Sequence, residues 1–227
     1  MMQQMLLDLG TPHLPSLQDF VVGRNAEVFQ LLNAMADRTS SDRFVYLWGE
    51  SGAGKTHLLQ SLAQCLPARY IASHSPLADF TYSPDVSLYL IDDCDRLPPR
   101  RQIAAFSLFN QVKESGTAYL VTAGAYAPLS LQLRDDLRSR LCWGIVYQIH
   151  GLSDEEKMMA LADQAKQRGL SLSTGVLPWL LTHYRRDMHS LTKILDDLDQ
   201  YSLQTKRTVT LPLLYELLDQ KLELKND

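Results

Sequence analysis

Cysteine is scarce in this chain and badly spaced for chemistry. Cys65, Cys94 and Cys142 are the only three in 227 residues, and no two are close enough to form a zinc ligand pair or a redox dithiol. An odd, sparse set fits reduced thiols in a cytoplasm better than a disulfide framework. Basic charge is not in excess either. Lys and Arg total 22 against 26 Asp and Glu, a net charge of -4, which argues against a protein that coats DNA by phosphate neutralisation alone. Long apolar runs are missing, so a membrane span of roughly 20 residues is not expected. Residues 1–10 lack the basic flank and apolar stretch of a signal peptide. The expectation is a soluble cytoplasmic protein with no membrane partner. With 45% hydrophobic and 21% charged residues, collagen-like, disordered and disulfide-rich classes fall away. The length suits one large domain or two modest ones.

Residues 1–16 read as a flexible tail, punctuated by Gly10, Pro12 and Pro15. Asn25 is a candidate N-cap for a helix carrying Val28, Leu31, Leu32 and Met35 at helical spacing. Residues 44–48 form a short β-forming run stopped by a glycine, and a helix is expected over 56–64. Further strands are expected over 86–91, 118–121 and 145–149, with a helix over 102–114. Strands alternating with helices predict an α/β domain over 17–150, a parallel sheet flanked by helices. After Gly151 the texture changes. Ser153 and Glu156 make a capping box for a helix that stops at Gly169. Two apolar stripes follow, through Met188, Leu191, Leu195 and Leu198, then Leu213, Leu214, Leu217 and Leu218. A small all-helical domain is expected over 151–227, with Thr208-Val209-Thr210 its one strand-like trace. The histidines at 13, 74, 150 and 183 show no ligand spacing.

The strongest signal is Gly49-Glu50-Ser51-Gly52-Ala53-Gly54-Lys55-Thr56, a complete G-x-x-x-x-G-K-[ST] between an apolar strand and a helix. Glycines let the backbone curl its N–H groups around phosphate oxygens. Lys55 then reaches the β- and γ-phosphates, and the Thr56 hydroxyl ligates Mg2+. The resident nucleotide, ADP or ATP, stays open. Leu90-Ile91-Asp92-Asp93 ends a buried strand. Asp92 fits the acid that holds Mg2+ through water, and Asp93 the base that orients an attacking water. Being Asp rather than Glu, residue 93 has a shorter reach, which points to slow hydrolysis.

These motifs resemble a known family. Phe20-Val21-Val22-Gly23-Arg24-Asn25, Gly52-Ala53-Gly54-Lys55-Thr56-His57-Leu58, Ile91-Asp92-Asp93 and Ser139-Arg140-Leu141-x-Trp143-Gly144 follow the order and spacing of the AAA+ core of the bacterial replication initiator DnaA. The resemblance runs from about residue 17 to near the end. Without the initiator's flanking domains, the chain is similar to the DnaA regulatory inactivators. That implies an AAA+ P-loop NTPase core followed by a helical lid, with ADP or ATP and Mg2+ as cofactors. It places Phe20, Val21, Val22, Gly23 and His57 around the nucleotide. It makes Arg140, after a short helix over 134–139, a finger acting in trans on a neighbouring subunit, with Arg134 and Arg138 in ion pairs. His189 stands where the lid usually carries a sensor arginine, with Arg185 and Arg186 as possible substitutes. Gly124-Ala125 stands where the family often places Asp-Arg.

These departures imply weak or no intrinsic ATPase, and a protein that mainly activates the ATPase of DnaA. In the tail, Gln4-Met5-Leu6-Leu7-Asp8-Leu9 is similar to the Q-x-x-L-x-L peptide that such inactivators insert into the DNA polymerase III sliding clamp (beta subunit). The Gln4 amide would set register, with Leu7 and Leu9 in an apolar groove and Asp8 between them. Implied partners are DnaA, the clamp, and DNA only indirectly through the clamp; self-association stays open. The alternative is an autonomous AAA+ ATPase of the helicase-loader type. An initiator lacking its flanks fits worse, since neither a DNA-binding domain nor a basic balance is visible.

Overall fold

Alternation along the strands decides the architecture. In the computed structural model, described over residues 14–223, five parallel strands form one sheet in the order β2-β3-β4-β1-β5. They are β1 (Phe44–Trp48), β2 (Ala68–Ile71), β3 (Leu88–Ile91), β4 (Tyr119–Gly124) and β5 (Ile145–Gln148). Successive side chains of a strand point to opposite faces. Accordingly Tyr46, Tyr89, Ile91 and Leu120 enter one core, and Val45, Leu47, Leu88, Leu90, Val121 and Ala123 enter the other. The first face is covered by α3 (Pro99–Ser115) and α4 (Asp135–Leu141), and the second by α1 (Ala26–Ala36) and α2 (Lys55–Leu62). Burial on both faces explains why β3 and β4 read as continuous apolar runs rather than alternating ones.

The chain divides into two compact units, one ending at Ile149 and the next beginning at His150. The second holds α5 (Asp154–Gln167), α6 (Val176–His183), α7 (Met188–Thr205) and α8 (Leu211–Glu223). Ser153 Oγ accepts from the Glu156 N–H at 3.1 Å while the Glu156 carboxylate accepts from the Ser153 N–H at 2.7 Å, the expected capping box. Its core gathers Leu161, Leu180, Leu191, Leu195, Leu198, Val209 and Leu213. Among the described residues its only strand-like feature is a bridge between Leu172 and Val209.

Several boundaries differ from the sequence reading. β2 was not expected: it lies at the sheet edge, is four residues long and carries Arg69, so no apolar run marks it. The third helix starts at Pro99 rather than 102, because proline is tolerated at a first helical position. The short helix runs to Leu141, so Arg140 lies in its last turn and not beyond it. The buried Gln102 amide sets that helix: its Nε2 donates to the Leu97 carbonyl at 2.7 Å and its Oε1 accepts the Arg134 N–H at 3.0 Å.

Candidate functional site

The sheet order carries the ends of β1, β3 and β4 to one edge, with β4 between the other two. Crevices at the carboxyl ends of strands are where open α/β sheets bind ligands. The loop over 49–56 leaves β1 here and enters α2. Gly54 has φ +102°, and a Cβ there would sit 2.8 Å from Cε2 of Phe20. The loop therefore needs glycine at 54, and Phe20 packs directly against it. Phe20 also stacks on Phe29 and on His57, with ring centroids 5.9 and 6.0 Å apart. His57 Nε2 lies 3.2 Å from the Ser16 carbonyl. Val21 and Val22 are half-buried, and Gly23 is exposed in a turn at φ +48°.

No side chain of the described residues caps α2, so the N–H groups of its first turn face the loop as an anion site. Lys55 Nζ donates to the carbonyls of Gly49 and Glu50 at 2.7 and 2.8 Å. Burial lowers the pKa of this ammonium, with Asp92 and Asp93 acting in the opposite direction. The Thr56 hydroxyl donates to Asp92 Oδ2 at 2.7 Å. Asp92 is buried and takes two further bonds: Tyr70 donates to the same Oδ2 at 2.6 Å, and the Asp93 N–H to Oδ1 at 2.9 Å. Burial, with the carboxylate beside it, pushes the Tyr70 phenol above its ordinary pKa, so it stays a donor. Asp93 takes a left-handed conformation at φ +47°, with its half-exposed carboxylate 3.5 Å from Arg96. Among the described residues no cluster of three or more His, Cys, Asp or Glu could hold a metal unaided. The donor set still suits Mg2+ that brings phosphate oxygens with it, since such ions take few protein ligands.

At the end of β4 the structure gives a reason for Gly124. A Cβ there would lie 2.4 Å from the Tyr46 hydroxyl and 3.1 Å from both Asp95 Oδ1 and Cys94 Sγ. That hydroxyl is tied down, donating to the Tyr126 carbonyl at 2.6 Å, while Asp95 accepts the Ala125 N–H at 3.0 Å. Burial pushes the Tyr46 phenol and the Cys94 thiol up, so both keep their protons. No acid can stand at 124 without evicting Tyr46. Asp95 approaches from the neighbouring turn instead.

The arginines at the start of α4 and along it divide into two kinds. Arg134 pairs with Asp136 at 2.8 Å and Arg138 with Asp135 at 2.6 Å. Arg140 has no carboxylate partner among the described residues. Its Nε donates to Asn110 Oδ1 at 3.1 Å, and its guanidinium lies 4.1 Å from the Trp143 ring centroid and 5.4 Å from that of Phe106. Lys113 Nζ lies 3.7 Å from the same Trp143 ring. His189 is exposed in the first turn of α7, as are Arg185 and Arg186 before it. Gln4, Leu7, Asp8 and Leu9 lie outside the described residues. Sequence reading missed Tyr70, Tyr46, Asp95 and Asn110. The first had no signal because its strand had none; Tyr46 and Asp95 were visible only as parts of a strand and a turn.

A P-loop between β1 and α2, an acid closing β3 and a β4 inserted between those strands define an AAA+ P-loop NTPase core, here followed by a helical lid. Residues 154–218 match the family model described as "Hda, lid domain", and an uncharacterized protein of Haemophilus influenzae is 36% identical over 188 residues, 78% of this chain and 81% of that one. With an Hda lid domain behind a DnaA-like AAA+ core, the chain is an Hda-like DnaA regulator. Its fold is that of domain III of Thermotoga maritima DnaA, at TM-score 0.73 and 24% identity over 90% of this chain and 95% of that one. AMPPCP-bound DnaA from Aquifex aeolicus aligns at TM-score 0.64 and 22% identity, over 80% and 64% of the two chains. The RuvB branch-migration motor of Thermotoga maritima aligns at 0.66 and 15%, over 90% and 71%.

The crowding at Gly124 has a measurable consequence. Gly124→Asp is expected to destabilise the protein by about 3 kcal/mol or more, through overpacking and a buried charge. Tyr46→Phe alone should cost about 1–3 kcal/mol, as the Tyr126 carbonyl loses its donor. The double variant should lose less than the sum, as urea denaturation of all three would register.

Proposed function

We propose that the chain binds an adenine nucleotide, ADP or ATP, with Mg2+ at residues 49–56, attaches to the DNA polymerase III sliding clamp through residues 4–9, and stimulates hydrolysis of ATP held by DnaA. The observation that carries the last step is the charge distribution on α4. Arg134, just before the helix, and Arg138, within it, are paired with neighbouring aspartates, while Arg140 keeps an uncommitted guanidinium fork. Such a fork stabilises charge that builds up on a transferring phosphoryl group of a partner, a contribution of about 10³–10⁵-fold in other NTPases.

The chain's own nucleotide plays a different part, as a bound phosphate anion that organises the loop. Lys55 supplies the cation, the first turn of α2 the N–H donors, and Thr56 with Asp92 the hold on Mg2+. The AMPPCP bound to a DnaA of similar fold supports this reading. The packing of Phe20 on Gly54 supports a base site beside residues 20–23. Gly124, closed to an acid by Tyr46, and Asp93, engaged by Arg96, both favour a binding protein with weak turnover of its own. The second reading, an autonomous ATPase of the helicase-loader type, is favoured by the intact contact between Thr56 and Asp92. It predicts steady ATP turnover by the isolated chain.

Three outcomes are expected. Lys55→Ala abolishes ADP binding in calorimetry, and unchanged affinity there would remove the nucleotide role. Gln4→Ala with Leu7→Ala weakens clamp association by a few kcal/mol, since buried anchors dominate such contacts; co-elution with the clamp at wild-type strength would move the contact elsewhere. Arg140→Ala keeps nucleotide and clamp binding yet loses stimulation of DnaA-bound ATP hydrolysis, measured with clamp loaded on DNA. Arg140→Lys does not rescue it, because an ammonium cannot present a planar fork to two phosphate oxygens. Full stimulation by the alanine variant leaves the finger role untenable.

A further inference from the structure

Asp92 is over-supplied with donors. Its Oδ2 accepts the Thr56 hydroxyl at 2.7 Å and the Tyr70 hydroxyl at 2.6 Å, and its Oδ1 accepts the Asp93 N–H at 2.9 Å. Thr56 and the Asp93 N–H hold the carboxylate from its two oxygens, and two donors at opposite corners fix its plane. A third donor is not needed for orientation. Tyr70 reaches in from β2, where it stands in register with Leu90, two residues before Asp92. A carboxylate oxygen offers about two acceptor directions, and on Oδ2 both are taken by hydroxyls.

We propose that Tyr70 sets the Mg2+ dependence of this site: by occupying an acceptor direction of Asp92, its hydroxyl weakens the hold of that carboxylate on the metal's hydration shell. The proposal rests on the reading of Lys55, Thr56 and Asp92 as a nucleotide and Mg2+ site. A short hydrogen bond to a carboxylate draws off part of the charge that would otherwise attract a cation. The phenol therefore acts on the metal through Asp92. Tyr70 is a positioning residue of an unusual sort, one that restrains its neighbour.

The test is calorimetric titration of ADP into the full chain across a Mg2+ series and in EDTA, comparing wild type with Tyr70→Phe and Tyr70→Met. Phenylalanine keeps the ring, and methionine fills the space flexibly if phenylalanine does not fold; neither donates. The Mg2+ concentration for half-maximal enhancement of ADP binding should fall about tenfold in both, as expected for losing a bond to a charged group. Affinity in EDTA should match wild type. Mn2+ binding to the ADP complex, read by electron paramagnetic resonance, should tighten in parallel. An unchanged or raised midpoint, or parallel loss of affinity with and without metal, overturns the proposal and leaves Tyr70 a structural support of Asp92. If wild type binds no ADP under any condition, the nucleotide reading has failed and the proposal falls with it, a result distinct from the previous one.

Discussion

A buried carboxylate needs partners or it unfolds its surroundings, and Asp92 is that constraint here. Only 4% exposed, it would carry a desolvation penalty of several kcal/mol if left unpaired. Its donors come from three places: Thr56 at the start of α2, Tyr70 on β2 and the backbone of Asp93. The same hydrogen bonds that satisfy the charge thus draw the phosphate loop, the edge strand and the end of β3 together. The neighbouring turn bears the consequence. Asp93 is held at φ +47°, a conformation that costs a non-glycine residue roughly 1–3 kcal/mol and persists only when its surroundings impose it.

The second constraint is steric and lies one strand away. β4 runs between β1 and β3, so whatever its last residue carries projects toward the site. In this chain that projection is taken by Tyr46 from β1, whose hydroxyl occupies the space a side chain at 124 would need. A side chain at 124 is therefore incompatible with the tyrosine on the adjacent strand. The two positions form one packing decision. Changing either alone leaves a clash or an unmet carbonyl.

The strands with long apolar runs were legible because burial on both faces writes an uninterrupted signal, as in Leu88-Tyr89-Leu90-Ile91. The P-loop was legible because its glycines, lysine and threonine are demanded by local geometry. Ser153 and Glu156 announced their helix for the same local reason. What stayed hidden depends on distant partners. Tyr70 sits on an edge strand of four residues with an arginine in it, and its contact with Asp92 spans 22 positions. α6 was hidden by Pro178, which a helix accepts in its first turn but which reads as a breaker. Arg140 was identified as a residue, yet its place inside α4 depends on how Gln102 seats the start of that helix.

In the role proposed for Arg140, its setting would keep a cation ready for a phosphate without spending it on a carboxylate. Its neighbours Arg134 and Arg138 are held by aspartates at 2.8 and 2.6 Å, and their charge is committed. Arg140 instead lies over Trp143 and bonds the neutral amide of Asn110. An exposed cation–π contact contributes about 0.5–1 kcal/mol, and a bond to a neutral acceptor roughly 0.5–1.5 kcal/mol. Charge-assisted bonds to a phosphate are about twice as strong as neutral ones, and the guanidinium can make two of them. The aromatic face orients the fork yet gives it up readily, whereas a carboxylate would compete on equal terms. The half-exposed Trp143, with Lys113 also against its ring, keeps positive charge at this surface on a chain whose net charge is -4. Local disposition of charge, and not its sum, decides what such a face can receive.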